Sequence, residues 1–324
     1  MLRYLVKRII ILIPVILAIT VVLFGISKAM PGDPVRRMIP STLRGEQYEL
    51  ARAAIEQRLG LDKSLPEQYV RWLNNIVLRG DFGYSTMFNR PVKDCIGEPL
   101  INTIILNLIV NFAYLAIALP VGIKMATKRG SLFDNGWQVV SLTTYSMPSF
   151  FLGLSLIFIF GIALRWLPLG GMPNATILSG ADYYFAWARH LVLPVTTLTV
   201  ISLASAIRYI RNAMIDALSQ DYIRTARSKG LREKVVIYSH AFRNALIPIS
   251  TVIVFTLFSL FIGSPITEHV FMYNGIGKLL VSAVRQLDSM MVIILNLLFA
   301  MVNVVAVLFA DIIYGLVDPR VKLR

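Results

Sequence analysis

The chain has 324 residues, of which 56% are hydrophobic and only 15% charged, with a mean hydropathy of +0.67. A soluble domain of this length is far less apolar, so the composition reads as an integral membrane protein. The formal net charge of +14 sits in short basic caps beside apolar blocks, without interleaved aromatics, which points to membrane topology and away from nucleic acid; the single cysteine, Cys95, excludes an intramolecular disulfide and a cysteine-based zinc site.

Arg3, Lys7 and Arg8 precede an apolar block from Ile9 to Ala29 that carries no charge before Lys28, enough to span hydrocarbon. A secretory leader has the same charged start. No small-x-small cleavage site follows, however, and the block is longer than a leader's apolar region, so residues 1–30 read as a retained first span with the N-terminus inside. Pro31-Gly-Asp-Pro34 breaks that helix, and residues 31–99, polar with nearly cancelling charges, read as a helical external domain. Within it Gly45 to Leu59 has helical composition and stops at Gly60. Ser64-Leu-Pro-Glu67 reads as a capping box opening a second helix, with Tyr69, Leu73, Ile76 and Val77 on one face until Gly80.

Residues 100–324 read as a core of five further spans. The second span, Leu100 to Met125, carries Thr103, Asn107, Asn111 and Tyr114 on one side of a helix. Amides facing lipid are costly, so this stripe faces protein or water, and both pathway lining and helix-to-helix hydrogen bonding remain open. Lys124, Lys128 and Arg129 cap the span inside, and Gly130 with Asp134-Asn-Gly136 forms the turn. The third span, about Trp137 to Leu164, places Ser141, Thr144, Tyr145 and Ser155 on one face, with Pro148 kinking it. An outer loop from Arg165 to His190 carries Trp166, Tyr183, Tyr184 and Trp187, residues of an interfacial aromatic belt. Span four, from about Leu191 to Ala206, continues into a basic loop. Span five, Leu246 to Ile262, ends at Gly263-Ser-Pro265.

The stretch Thr267-Glu-His-Val-Phe-Met-Tyr-Asn-Gly-Ile-Gly277 is too polar to span and too apolar for a free loop. It is no phosphate loop, because Gly-x4-Gly-Lys-Ser/Thr is absent. In the sixth span, about Met290 to Leu316, Asn296, Asn303 and Asp311 fall within one quadrant, a third inward polar stripe, and Asn296 and Asn303 join Ser141, Thr144 and Tyr145 of the third span as pathway-lining candidates. Asp311, the only acid inside a predicted span, is either a functional carboxylate or the partner of a basic residue at the inner boundary. The chain closes on the basic Asp318-Pro-Arg-Val-Lys-Leu-Arg324. Six spans with both termini inside satisfy the charge asymmetry once the long external segment, exempt from the positive-inside rule, is set aside.

Between Ile207 and Ala245 lie Arg208, Arg211, Arg224, Arg227, Lys229, Arg232, Lys234 and Arg243, a density of charge that cannot sit in hydrocarbon. Gly230 splits the stretch into two short helical pieces. The residue order Arg224-Thr-Ala-Arg-Ser-Lys-Gly230, followed by His240-Ala-Phe-Arg-Asn-Ala-Leu-Ile-Pro248, resembles the cytoplasmic coupling loop of bacterial ABC-importer permeases, in the variant of the oligopeptide/dipeptide/nickel permease family. Gly230 and Pro248 match that pattern. Arg224 stands where a Glu is usual, Thr225 and Ala226 replace two alanines, and Arg243 occupies the first proline position. Leu59-Gly-Leu-Asp-Lys63, Arg79-Gly-Asp-Phe-Gly-Tyr84, the 267–277 stretch and the Asp-Pro-Arg ending resemble the same permeases, so the likeness covers nearly the whole chain.

The resemblance implies an all-α membrane protein of the bacterial cytoplasmic (inner) membrane and a non-catalytic permease subunit forming half of a pathway for peptides; nickel chelates and oligosaccharides are the alternative cargoes. It implies an ATPase-coupling loop at about 215–245 comprising Arg224, Thr225, Ala226, Arg227, Lys229, Gly230, Leu231 and Glu233. It further implies an outer gate near Glu268, Tyr273, Asn274, Gly275 and Gly277. Its partners would be a second homologous permease (a heterodimer), two cytoplasmic ABC ATPases, an extracytoplasmic substrate-binding protein and the lipid bilayer. ATP and Mg would be held by the ATPases, with no cofactor on this chain. Two readings from other classes, an ion-coupled carrier and an intramembrane enzyme, need midplane charges, inverted repeats or a paired nucleophile that the sequence does not display. His190, His240 and His269 sit in different regions without metal-ligand spacing, so no metal site is expected.

Overall fold

A computed structural model describes residues 2–31, 35–36, 39–40, 42–174 and 176–317. Most of the Pro31–Pro34 break and the whole Asp318–Arg324 ending lie outside the described residues. Helix α1 (Leu2–Ala29) is the first span. Helix α2 (Glu46–Leu59) ends where Gly60 turns left-handed at φ 69°, its N–H returning to the Gln57 carbonyl, and α3 (Leu65–Arg79) begins at the Ser64/Glu67 capping box. The 31–99 segment is not wholly helical. Strands β1 (Tyr84–Ser85) and β2 (Arg90–Pro91) pair antiparallel as a small hairpin, with Asn89 at φ 52°. Helix α4 (Lys93–Thr127) then runs straight through the expected domain boundary at residues 99 and 100. Pro99 lies inside it, in the second turn, beyond the first-turn positions whose N–H groups are free.

The third span departs most from expectation. Helix α5 (Leu132–Ser146) and helix α6 (Ser149–Ala163, π-helical from Ile157) meet at a 99° bend over Met147 and Pro148. A proline kink bends a continuous helix; here Pro148 and the residue before it are extended, so the helix ends and restarts. Ser155 therefore does not share a face with Ser141, Thr144 and Tyr145. Asp134 is also no part of a turn: Ser131 caps α5 by accepting the Asp134 N–H at 3.3 Å, which places Asp134 in the first helical turn.

Helix α7 (Gly180–Leu218) starts well before the expected span, so Tyr183, Tyr184 and Trp187 are helical. After α8 (Asp221–Ser228), helix α9 runs unbroken from Glu233 to Ser259, with a π-helical segment over Val236–Phe242. Short helices α10 (Pro265–Val270) and α11 (Ile276–Arg285) precede α12 (Ser289–Val317). Among the described residues five helices are long and apolar enough to cross a membrane, six if the bent α5–α6 pair makes one crossing.

Two apolar clusters hold these helices. The larger joins the C-terminal half of α4 to α7, α8 and the start of α9 around Met125, Ile207, Met214, Ile223, Val236 and Ala241. Gly122 permits it, since a Cβ there would lie 2.8 Å from Ile210 Cγ2 and 3.2 Å from the Ile207 carbonyl. The smaller cluster, at the opposite end, packs the start of α4 on α11 and α12 through Val92, Cys95, Ile276, Met291 and Leu295. The molecule thus has a hairpin end and an α8 end.

Candidate functional site

At the α8 end, α8 lies across the larger cluster with Ile223 and Ala226 buried beneath it. The opposite side of the same turn is open: Tyr222, Arg224, Thr225, Lys229, Gly230 and Leu231 are exposed. Gly230 adopts φ 73°, which only glycine enters without strain, and nothing lies within 4 Å of the Cβ it lacks. Across this turn Arg227 reaches Glu233 through two bonds of 3.2 and 2.7 Å. That pair is half exposed and contributes on the order of 0.2–1 kcal/mol. The piece after Gly230 is not a second short helix but the beginning of α9, so a displacement of α8 acts directly on a membrane helix.

A buried ion pair stiffens the same end. Asp134, at the start of α5, receives Arg211 of α7 through bonds of 2.6 and 2.8 Å, and its Oδ2 also accepts the Gly130 N–H at 2.9 Å. The side chains are 1% and 15% exposed, so two-point geometry is retained by burial. Sequence reading missed this pair; the Ser131-x-x-Asp134 spacing of a helix start was the available signal.

At the hairpin end the 267–277 segment folds into the protein. The Glu268 side chain is fully buried and accepts four bonds: Thr103 Oγ1 at 3.1 Å and the N–H groups of Ser264 (3.0 Å), Gly277 (2.7 Å) and Lys278 (3.0 Å). Two of these donors are free N–H groups in the first turn of α11, so an internal carboxylate occupies the anion position of a helix N-terminus. Burial pushes the Glu268 carboxyl above its ordinary range, while the backbone donors and Thr103 pull it back down. Thr103 Oγ1 in turn accepts the Ile276 N–H at 2.8 Å. Asn102 donates to the Asn274 carbonyl, and Tyr273 donates to the Asn102 carbonyl at 2.8 Å. Gly263 and Gly277 touch backbone to backbone: a Cβ on Gly263 would lie 2.4 Å from the Gly277 nitrogen. Of the five outer-gate candidates only Asn274 is exposed, and its side chain accepts Lys278 Nζ at 2.7 Å.

The α4 stripe belongs to the same construction. Asn107 donates to the carbonyls of Ser259 (3.0 Å) and Ile262 (2.9 Å), Asn111 to that of Thr256 (2.9 Å), and the hydroxyls of Tyr114 and Thr256 pair. The last carbonyls of a helix lack i+4 partners; here the Ile262 N–H reaches the Ser259 carbonyl at 3.1 Å, and the α4 side chains add to what the end of α9 would otherwise lack. Thr103, Asn107, Asn111 and Tyr114 all make helix-to-helix hydrogen bonds in this way. Ser141 is buried, Thr144 half-buried and Tyr145 exposed, its ring 5.8 Å below the Arg208 guanidinium. Asn296 and Asn303 bond back to their own helix, at Val292 and Phe299, and Asn303 is exposed. Asp311 meets Arg8 of α1 at 3.2 Å, the boundary pairing that sequence allowed.

A further residue was not singled out by sequence. Asp288 is fully buried, caps α12 through the Met291 N–H at 3.2 Å, and accepts both the Ser85 hydroxyl and the Met87 N–H (3.1 Å), pinning the hairpin to α12. An Asp immediately before a long apolar run was the signal. Among the described residues no group of His, Cys, Asp or Glu could hold a metal ion.

The family model described as "Binding-protein-dependent transport system inner membrane component" matches residues 118–323, and the model for the N-terminal part of such membrane components matches residues 1–119. The chain is 36% identical to the oligopeptide transport system permease protein AppB of Bacillus subtilis, covering 99% of this chain and 100% of that protein. It is 37% identical to the di/tripeptide transport system permease protein DppB of Pseudomonas aeruginosa and 34% to the dipeptide transport system permease protein DppB of Escherichia coli K12, each over 99% of both chains. A solved inward-facing conformation of the MetNI methionine ABC transporter has a TM-score of 0.49 at 15% identity, over 68% of this chain and 97% of that one.

Proposed function

We propose, from the premise that this chain belongs to the family of binding-protein-dependent transport system inner membrane components, that it forms half of a transmembrane pathway for peptides and takes its driving force at α8. The peptide class follows the relatives, which are oligopeptide and dipeptide permeases matched over their full length. The other half of the pathway is a second, homologous permease. A substrate-binding protein delivers cargo at the hairpin end, and two ATPases, which hold ATP and Mg, dock at the α8 end. That end then faces the cytoplasm, and this chain performs no chemistry of its own.

The observation that carries this reading is α8 itself, buried on one side by Ile223 and Ala226 and open on the other, and joined through Gly230 to the head of α9. Closure of ATPases beneath α8 would push a rigid body. The buried Asp134–Arg211 pair would carry the push to α5, and the helices would switch access as a unit. The Glu268 knot would hold α10 and α11 on α4 during that motion.

The test is affinity purification of this chain from its native membrane in mild detergent, followed by reconstitution and uptake of labelled peptides. Recovery of a second multi-span protein and nucleotide-binding chains, with ATP-dependent uptake stimulated by a binding protein, is the expected result. A chain that purifies alone while other complexes survive, or a reconstituted complex that ignores peptides, refutes the assignment.

A further inference from the structure

Helix α3 displays more apolar surface than the protein covers. One flank is engaged: Tyr69 Oη pairs with Thr20 Oγ1 of α1 at 2.8 Å, and the Phe24 ring stands 5.6 Å from Tyr69 and 5.8 Å from Trp72. Lys28 donates to Gln68, and Ile76 packs on the cluster at the hairpin end. The adjoining stripe, Pro66, Val70, Leu73 and Val77, follows the i, i+4, i+7, i+11 spacing of a single helix face. Val70 and Val77 are 53% and 69% exposed. Glu67, Arg71 and Asn74 form the next stripe and are exposed as well, with Leu78, 77% exposed, as the one apolar residue at its C-terminal end. The helix therefore presents an oily side and a polar side at once.

Its depth is set by α1. The 20 residues Ile10–Ala29 rise about 30 Å, the thickness of the hydrocarbon, so this helix has no slack along the membrane normal. Arg8, paired with Asp311, marks one boundary and Lys28 the other. Phe24 and Thr20 lie five and nine residues before Ala29, about 8 and 14 Å inside it at 1.5 Å per residue. Gln68 meets α1 at Lys28 and Tyr69 meets it at Phe24, which puts the α3 axis within about 8 Å of the boundary. That is the depth at which an amphipathic helix seats its apolar face between headgroups and acyl chains. Helix α1 packs on α12.

We infer that α3 is an interfacial helix, seated through Val70 and Val77 in the leaflet at the hairpin end, so that the segment between the first two spans is anchored to lipid as well as to protein. A lipid-seated α3 would hold the neighbouring hairpin at a constant height above the bilayer, where an arriving soluble partner could meet it.

The test uses spin labels on Val70→Cys, Val77→Cys and, on the polar stripe, Asn74→Cys, in the full chain within its purified complex, reconstituted in vesicles of phosphatidylethanolamine and phosphatidylglycerol. Wild-type chain, whose only cysteine is buried, is the unlabelled control. Power saturation should give severalfold higher collision with oxygen than with an aqueous nickel chelate at positions 70 and 77, and the reverse at 74. Equal access of the nickel chelate to all three positions would overturn the inference, as would exclusion of both reagents from 70 and 77, which would mean a protein covers that face. The labelled sites are exposed, so folding does not depend on them.

Discussion

Replacing Gly275 with alanine is the sharpest probe of the knot at the hairpin end. The residue sits at φ −100° and ψ −179°, an extended conformation open to any amino acid, so alanine adds no backbone strain. Its Cβ, however, would fall 2.4 Å from Glu268 Oε2 and 2.5 Å from Thr103 Oγ1. Both oxygens would have to retreat by about 1 Å to reach ordinary contact, which breaks the Thr103–Glu268 and Ile276–Thr103 bonds. One of these is charge-assisted at about 1.5–3 kcal/mol and the other neutral at about 0.5–1.5 kcal/mol, so the loss is about 2–4.5 kcal/mol, overlapping the upper part of the range for over-packing a buried site. Gly136→Ala is the control, since nothing lies within 4 Å of that helical position and alanine favours a helix by about 1 kcal/mol. The assay is thermal unfolding in detergent followed by a thiol-reactive dye, because the sole cysteine, Cys95, is 3% exposed and becomes reactive only when the hairpin end opens. Gly275→Ala should melt well below wild type and transport poorly, with Gly136→Ala at or above wild type. Equal midpoints for the two variants would refute the packing argument.

Glu268→Gln tests the charge in that knot. Burial raises the folded carboxyl above its unfolded value, near 4.5, so its contribution to stability is full below that value and lost as the pH rises through the folded one. Measured by the same dye, the wild-type midpoint should fall relative to Glu268→Gln over that interval, and a difference independent of pH would contradict the sign. Asp134→Leu strands the Arg211 guanidinium in a buried site at a cost of about 3–5 kcal/mol, whereas Asp134→Leu with Arg211→Met should recover most of it; equal stability of single and double variants would show the pair to be inert. Gly230→Val forces a β-branched residue into φ 73° with open space around it, so the penalty is about 1–2 kcal/mol of local strain without a clash. Membrane insertion should be normal and peptide uptake lost, and normal uptake would remove α8 from the coupling role.

The two ends of the molecule follow from charge and apolar run length, and those are properties of local sequence. The α1 span, the Gly60 and Gly80 stops, the Ser64 capping box and the turn at Gly230 were all legible, because each rests on residues within one or two helical turns of each other. The pairing of Asp311 with a boundary cation was legible too, although not that the cation is Arg8, 303 residues away. What the α4 asparagines do was not, since periodicity places them on one side of a helix without saying what stands opposite. Only the fold shows that the carbonyls at the end of α9 stand against them. The same holds for Asp134 and Asp288, whose partners come from distant segments, and for the 99° break at Met147–Pro148, where a kink and a break share one sequence signal. Local rules decide where a helix starts and stops. Which polar groups become buried, and so must find partners, is decided by the packing of helices far apart in the chain.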